Sequence, residues 1–168
     1  MNSIFLKQIQ SPIGQLLLGD YDDTLCYCGF GIDILNKNLT KIAKSLKSDL
    51  VFQDTNLLKM AHFQLDEYFA KKRTYFNLPF YFVGSDFQRD VWTELIDLSY
   101  GKTISYLQLA EQCEHPKSVR AVANAVGANN LPIFVPCHRV ISSNGSIGGY
   151  SGGIEKKRFL LSIENVVL

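Results

Sequence analysis

Three short apolar, partly β-branched runs crowd the start of the chain: Ile4 to Ile9, Gln15 to Leu18 and Leu25 to Phe30. They are separated by Ser11-Pro12-Ile13-Gly14 and Asp20-Tyr21-Asp22-Asp23, both of which carry turn chemistry. Connections this short predict an antiparallel meander. The period then changes. Leu35 to Leu46 and Leu57 to Ala70 have helical spacing, the second with Leu58, Ala61, Leu65 and Phe69 on one side. Tyr75 to Gly84 shows no strong period and contains Pro79, so it reads as an extended linker. A domain boundary is placed there, giving parts 1–80 and 81–168.

The second part reads as mostly helical. Ser85 or Asp86 can cap a helix running through Ser99, with Val91, Leu95 and Leu98 as its buried stripe and Gly101 ending it. Ser105 can cap Tyr106 to Cys113, and Pro116 opens a helix holding Ser118 to Val126. Joined through Glu114-His115-Pro116, these two short helices form a helix-turn-helix. Val119, Ala121, Val122, Ala123, Ala125 and Val126 surround a single charge, Arg120. Such a helix is either buried with a snorkelling arginine or a smooth face able to enter a groove about 6 Å wide. Gly145, Gly148, Gly149, Gly152 and Gly153 cluster late, and with Ser143-Asn144 they predict a hairpin followed by an irregular loop. A closing helix spans about Ile154 to Glu164. The expected fold class is α+β in two parts: an N-terminal antiparallel sheet with helices, then a helical domain with the helix-turn-helix and a cysteine-bearing turn.

Composition limits the function classes. No apolar stretch approaches the roughly 20 residues of a membrane span, and Met1-Asn2-Ser3-Ile4-Phe5 lacks secretory-signal order. A cytoplasmic protein is expected, or a nuclear one in a eukaryote. Four cysteines are too few for a stapled scaffold, so Cys26, Cys28 and Cys113 are read as core thiols. No second cysteine pair completes a zinc set with Cys26 and Cys28, and neither metal nor cofactor is expected. The net charge of +1 says little. Its distribution says more: Lys117, Arg120, Arg139, Lys156, Lys157 and Arg158 lie in the last third, and Glu155 is the one acidic residue between Lys117 and Lys156. A local positive face on a nearly neutral molecule follows.

Chemistry concentrates at Pro136-Cys137-His138-Arg139. A thiolate attacks carbon far better than a thiol, so a reactive cysteine needs a base or a positive field. His138 is the candidate base, Arg139 supplies positive charge, and Glu164 could orient the imidazole. On a strand His138 would point away from Cys137, so their contact requires a turn or a bridging water. Taken alone, the pair reads more readily as a buried thiol beside a surface histidine.

The wider pattern reverses that reading. Ile133-Phe134-Val135-Pro136-Cys137-His138-Arg139-Val140-Ile141 resembles the active-site signature of the O6-alkylguanine-DNA alkyltransferases. The resemblance extends upstream through Gly101-Lys102-Thr103-Ile104-Ser105-Tyr106, Leu109-Ala110, Arg120-Ala121-Val122 and Asn129. Downstream it takes in Gly145, Gly148, Tyr150-Ser151-Gly152-Gly153, Lys157 and Leu160-Leu161 before Glu164. Ser11-Pro12-Ile13-Gly14 and Phe87-Gln88 to Val91-Trp92 look like earlier landmarks, the N-terminal half matching only loosely.

The resemblance implies a repair protein that flips a damaged nucleotide from duplex DNA and takes its alkyl group onto Cys137. His138, through a water, and Glu164 would remove the thiol proton. Tyr106 would turn the 3′ phosphate and donate a proton to guanine N3. Arg120 would fill the gap in the stack, with Ser118, Ala121 and Ala123 along a helix in the minor groove. Asn129 would be the hinge between that helix and the cysteine turn. Carbonyls of Cys137 and Val140 would accept the guanine amino group, the Ser151 N–H would face O6, and Tyr150 would line the pocket. Pro132, Gly148 and Gly152 imply room for alkyl groups larger than methyl. The product is a thioether without an acyl carbon for water to attack, so each molecule would act once. A monomer is expected, with double-stranded DNA carrying an alkylated base as partner and no membrane. Gly127 stands where some relatives carry a basic residue, and Val119 and Val122 are bulkier than alanine on the expected groove face. Two other readings stand beside this one: a non-catalytic alkyl-DNA sensor of the same fold, and a cysteine hydrolase built on Cys137 and His138.

Overall fold

A computed structural model describes residues 2–168. The chain divides into two compact units, Met1–Val83 and Gly84–Leu168, and has mixed α+β character.

In the first unit β1 (Asn2–Ser11), β2 (Gly14–Tyr21) and β3 (Thr24–Phe30) form the expected antiparallel meander. Its first hairpin turns at Gly14, whose φ of +103° suits glycine. The sheet is not purely antiparallel. A fourth strand, β4 (Ser48–Phe52), lies parallel to β1 in the order β3-β2-β1-β4. The connection to it carries α1 (Lys37–Ser45), which Asn36 caps through a bond from the Asn38 N–H. The helix thus begins two residues inside the expected run, with Leu35 left exposed. α2 (Asn56–Phe69) is capped by Thr55 and packs on β1, β2 and β3. Strands β2 and β3 are buried along most of their length because helices cover both faces. Leu39 and Ile42 of α1 pack against Ile4, Leu6, Leu17, Cys26 and Tyr27, while Leu58, Ala61 and Leu65 of α2 are buried as its own stripe.

One expectation needs correction in this unit. The segment around Pro79 is not a free linker. It pairs with the outer edge of β3, Leu25 N–H donating to the Pro79 carbonyl (2.9 Å) and Tyr81 N–H to the Leu25 carbonyl (2.9 Å). Proline is tolerated there because this edge pairing uses the Pro79 carbonyl as an acceptor and the Tyr81 N–H as the donor, and asks for no N–H from Pro79. A register shift at Gly19/Asp20 also breaks strict alternation on β3, so Cys26 and Tyr27 both join the α1 cluster while Cys28 stands opposite Leu18.

The second unit is helical around a two-stranded parallel pair, β5 (Ile104–Ser105) and β6 (Val140–Ile141). α3 (Asp86–Ile96) and α4 (Tyr106–Gln112) start with complete capping boxes, Ser85/Gln88 and Ser105/Gln108. α5 (Val119–Gly127) follows α4 through residues 113–118 and packs against both α3 and α4. Its position is fixed by Trp92, whose indole N–H donates to the Ala125 carbonyl at 2.8 Å. Residues 142–146 close a hydrogen-bonded turn rather than a hairpin with paired strands. α6 (Ile154–Ile163) completes the unit. Among the described residues, no helix is long and apolar enough to cross a membrane.

Candidate active site

Cys137, His138 and Arg139 form a single 3₁₀ turn between the α5 segment and β6. The turn is shaped from upstream. Asn129 donates from Nδ2 to the Val135 carbonyl (2.9 Å) and accepts the Leu131 N–H on Oδ1 (2.9 Å). Within that staple Ile133, a buried β-branched residue, sits at φ +74°. Left-handed backbone at such a residue costs on the order of 1–3 kcal/mol and persists only where the surroundings impose it. The Val135 carbonyl also accepts the Cys137 N–H (2.8 Å), so Asn129 and Cys137 meet on one oxygen.

The turn takes adjacent Cys137 and His138 off a strand. Instead of alternating across a strand, both side chains are buried, Cys137 with 4% exposure and His138 with none. His138 is therefore not a surface residue. Its Nε2 lies 2.8 Å from Oε1 of Glu164, the residue that caps α6. Glu164 also takes Arg139 in a forked contact, Nη2 to Oε1 (2.8 Å) and Nε to Oε2 (2.9 Å), and accepts the Gly101 N–H on Oε2 (3.1 Å). Burial alone raises the Glu164 carboxyl, but the hydrogen bonds and charges of His138 and Arg139 outweigh it and hold it at about 2. Burial is also the largest influence on His138 and, with Arg139 and Lys157, pushes it below the usual imidazole range despite Glu164. That direction favours the neutral ring over the imidazolium.

Arg139 is not the cation that acts on the thiol. It is committed to Glu164 and lies over the Tyr100 ring, 5.7 Å from its centroid. That place belongs to Lys157, a residue singled out by the sequence pattern without a role. Wholly buried on α6, it donates from Nζ to the Val140 carbonyl (2.7 Å) and the Gly149 carbonyl (3.0 Å). Burial lowers Lys157 to about 8. At Cys137 burial dominates and raises the thiol, while the Asn129 hydrogen bond, the Lys157 charge and Tyr150 act to lower it. Cys137 therefore rests as a thiol among groups that favour its thiolate. Lys157→Met should slow alkylation of Cys137 by iodoacetamide at pH 7, about tenfold for each unit of thiolate stabilisation lost. Peptide mass mapping would separate this from modification of Cys113, and an unchanged Cys137 rate would contradict the role.

A cavity of about 190 Å³ exposes Cys137. Tyr106 of α4, then Ala123, Val126 and Gly127 of α5, form one side, and Gly149, Tyr150 and Ser151 form the other. Tyr106, Tyr150 and Ser151 thus meet at the cysteine as the sequence suggests. Pro132, Val140, Gly148 and Gly152 are not among the lining residues. Pro132 and Val140 are buried, Gly152 is half-buried, and Gly148 (φ +73°) sits so close to Tyr106 that a Cβ would meet the ring at 3.3 Å. Gly127 and Gly149 were not foreseen as walls. A Cβ at either would meet nothing within 4 Å, so the cavity is open at both. Burial raises the Tyr106 hydroxyl above its ordinary value, with Cys137 adding to it, and keeps it a proton donor.

On α5, Arg120, Ala121 and Asn124 are exposed, Ser118 and Ala123 are half-buried, and Val122 is fully buried. The extra bulk of Val122 consequently faces the core and not the outer face. Arg120, Ala123 and Gly127 follow one helical stripe, which puts Arg120 one turn from the cavity wall.

Two family models cover nearly all of the chain. The 6-O-methylguanine DNA methyltransferase ribonuclease-like domain matches residues 4–82, and the DNA binding domain of the same family matches residues 86–166. The constitutive methylated-DNA--protein-cysteine methyltransferase of Bacillus subtilis is 38% identical, over 94% of this chain and 93% of its own. A protein of the same description from Methanosarcina acetivorans is 36% identical over 92% of this chain and 94% of its own. The crystal structure of Mycobacterium tuberculosis OGT in complex with DNA aligns with a TM-score of 0.83 at 36% identity, covering 95% of this chain and 92% of that one. With both of its parts matched in order, and relatives aligned along almost their whole length, the chain belongs to the 6-O-methylguanine DNA methyltransferase family.

Proposed function

We propose that the protein repairs duplex DNA by moving the alkyl group of O6-alkylguanine, and of O4-alkylthymine, onto Cys137 once per molecule. The observation that carries this reading is the cavity itself: a nucleophile at its floor, a proton donor on one wall, and the outer face of a helix-turn-helix at its rim. A base inside an intact stack cannot reach such a floor, so the nucleotide must leave the helix. Arg120, one turn along α5 from the wall, would fill the gap it leaves. The exposed small residues of α5 suit a minor groove, where readout is degenerate and repair at any guanine is an advantage. The chain is proposed to bind as a monomer.

In the transfer step the Cys137 proton passes to neutral His138 through a water, and Glu164 receives the charge that develops on the imidazole. The sulfur lone pair forms the new S–C bond as the O6–C bond breaks, and the electron pair moves into the guanine ring. The Tyr106 hydroxyl supplies a proton to N3, which makes guanine the better leaving group. Lys157 and Asn129 favour the thiolate while it forms. The backbone N–H of Ser151 would face O6, with Tyr150 against the base. Openness at Gly127 and Gly149 supports acceptance of groups larger than methyl.

Weighing the intact protein after mixing with duplex DNA containing O6-methylguanine tests the proposal. A gain of one methyl per molecule is expected. Binding without any gain would replace it with the sensor reading, and turnover of acyl substrates without DNA binding would replace it with a hydrolase.

A further inference from the structure

Arg139 follows the reacting pair in sequence yet turns away from the thiol. Its guanidinium spends Nε and Nη2 on both oxygens of Glu164, donates from Nη1 to the Leu98 carbonyl at 2.5 Å, and packs over Tyr100. Gly101 N–H supplies a further donor to the same carboxylate. Three groups thus converge on Glu164: the Arg139 fork, the Gly101 N–H and His138 Nε2. The charged groups that act on His138 are Glu164 at the end of α6, Lys157 on α6 and Arg139 in its own turn, and Tyr100 also feels the Glu164 charge.

This arrangement has an electrostatic consequence. A buried carboxylate with no other partner draws a proton onto a histidine bonded to it, because an imidazolium–carboxylate pair is far better than a lone buried charge. An imidazolium cannot accept a thiol proton. With Arg139 in place the carboxylate already has its countercharge, in bidentate geometry that a guanidinium supplies and an ammonium does not. Glu164 is then left to accept a hydrogen bond from Nε2–H, which fixes the tautomer and leaves Nδ1 unprotonated.

We propose that Arg139 is a positioning residue that holds both oxygens of Glu164 and so keeps His138 as the neutral, Nε2-protonated imidazole the transfer step requires. The mechanistic use of that state rests on the alkyl-transfer reading; the state itself does not. It is therefore tested first by imidazole nitrogen NMR on the whole protein with no DNA present. In the natural sequence, His138 should be a single Nε2-protonated tautomer at pH 7. An imidazolium at that pH would overturn the proposal whether or not the protein transfers alkyl groups.

Two variants then locate the cause. In Arg139→Gln the countercharge is gone, and His138 should titrate about one unit or more higher than in the natural protein. Arg139→Lys restores charge without the fork, and should fall between the two. The acid limb of the pH profile for methyl uptake should move to higher pH in step with the NMR titration. A purely structural role predicts a lower rate with the limb unmoved, and that outcome would overturn the proposal. If Arg139→Gln does not fold, the displacement of His138 in Arg139→Lys decides alone: none would count against it. Failure of methyl uptake in the natural protein would sink the alkyl-transfer reading while leaving the NMR result to judge Arg139.

Discussion

Cys137→Ser should abolish methyl uptake from O6-methylguanine duplex while leaving affinity for that duplex essentially intact. The oxygen of serine is a much poorer nucleophile at neutral pH and would sit in the same buried position, where 4% exposure already disfavours an anion. Loss of a nucleophile that acts as part of a unit costs on the order of a millionfold in rate. The isosteric change keeps the cavity formed by Tyr106, Tyr150 and Ser151 and leaves the exposed face of α5 untouched. Binding and chemistry should therefore separate cleanly, as read by gel shift and intact mass. Residual methyl uptake within tenfold of the natural rate would mean that another group accepts the alkyl.

The second large effect falls on stability. Glu164→Gln leaves the Arg139 guanidinium buried without a countercharge, and breaking one side of a buried pair costs about 3–5 kcal/mol. The midpoint of urea unfolding at pH 7 should drop accordingly. The pH dependence identifies the source. Glu164 is held at about 2 when folded and has the ordinary carboxylate value near 4.5 when unfolded. Its folded value is the lower, so its contribution is complete above the unfolded value and is lost as pH falls from there through about 2. That contribution is about 3 kcal/mol for a depression of this size. His138 is also depressed when folded, so its contribution begins to fall earlier, below the ordinary imidazole value of 6.5. Glu164→Gln should keep the His138 portion of acid destabilisation and lose the carboxylate portion. Parallel acid profiles for the two proteins would contradict this assignment.

Why some of this was legible in the sequence and some was not has physical reasons. The meander was readable because its apolar runs are short and its turns hold Gly14, Asp22 and Asp23, each with φ above zero. The caps Ser85 and Ser105 announced α3 and α4 because each has its glutamine three residues on. β4 escaped notice because an exposed edge strand buries almost nothing: none of its residues is fully buried, and Phe52 is 53% exposed. Its parallel partner is also more than 40 residues away, beyond any local signal. Pairing of Pro79 and Tyr81 with Leu25 uses only main chain, which leaves no side-chain period to read.

At the site, Cys137, His138 and Glu164 stood out by their chemistry and Asn129 and Tyr106 through motif resemblance, and the fold brings all five within one unit. The charges were harder. Adjacency suggested Arg139 as the thiol's cation, yet a 3₁₀ turn splays neighbouring side chains and sends Arg139 to Glu164. Lys157, 20 residues from Cys137 in the chain, brings its charge to bear on the thiol only because α6 folds back over β6 and the glycine loop. Gly127 and Gly149 carry no side chain, so their part in the cavity is defined by the space they leave.

The central claim is that Cys137 is a one-use acceptor, and the direct test is to place the alkyl group on a residue and count it. The protein is exposed to increasing excess of duplex DNA carrying O6-methylguanine, then cleaved, and its peptides are sequenced by mass. The account predicts one methyl on Cys137, with uptake stopping at one per molecule however large the excess. Methyl on a different residue, or release of methylated product with Cys137 unmodified and activity continuing, would contradict it.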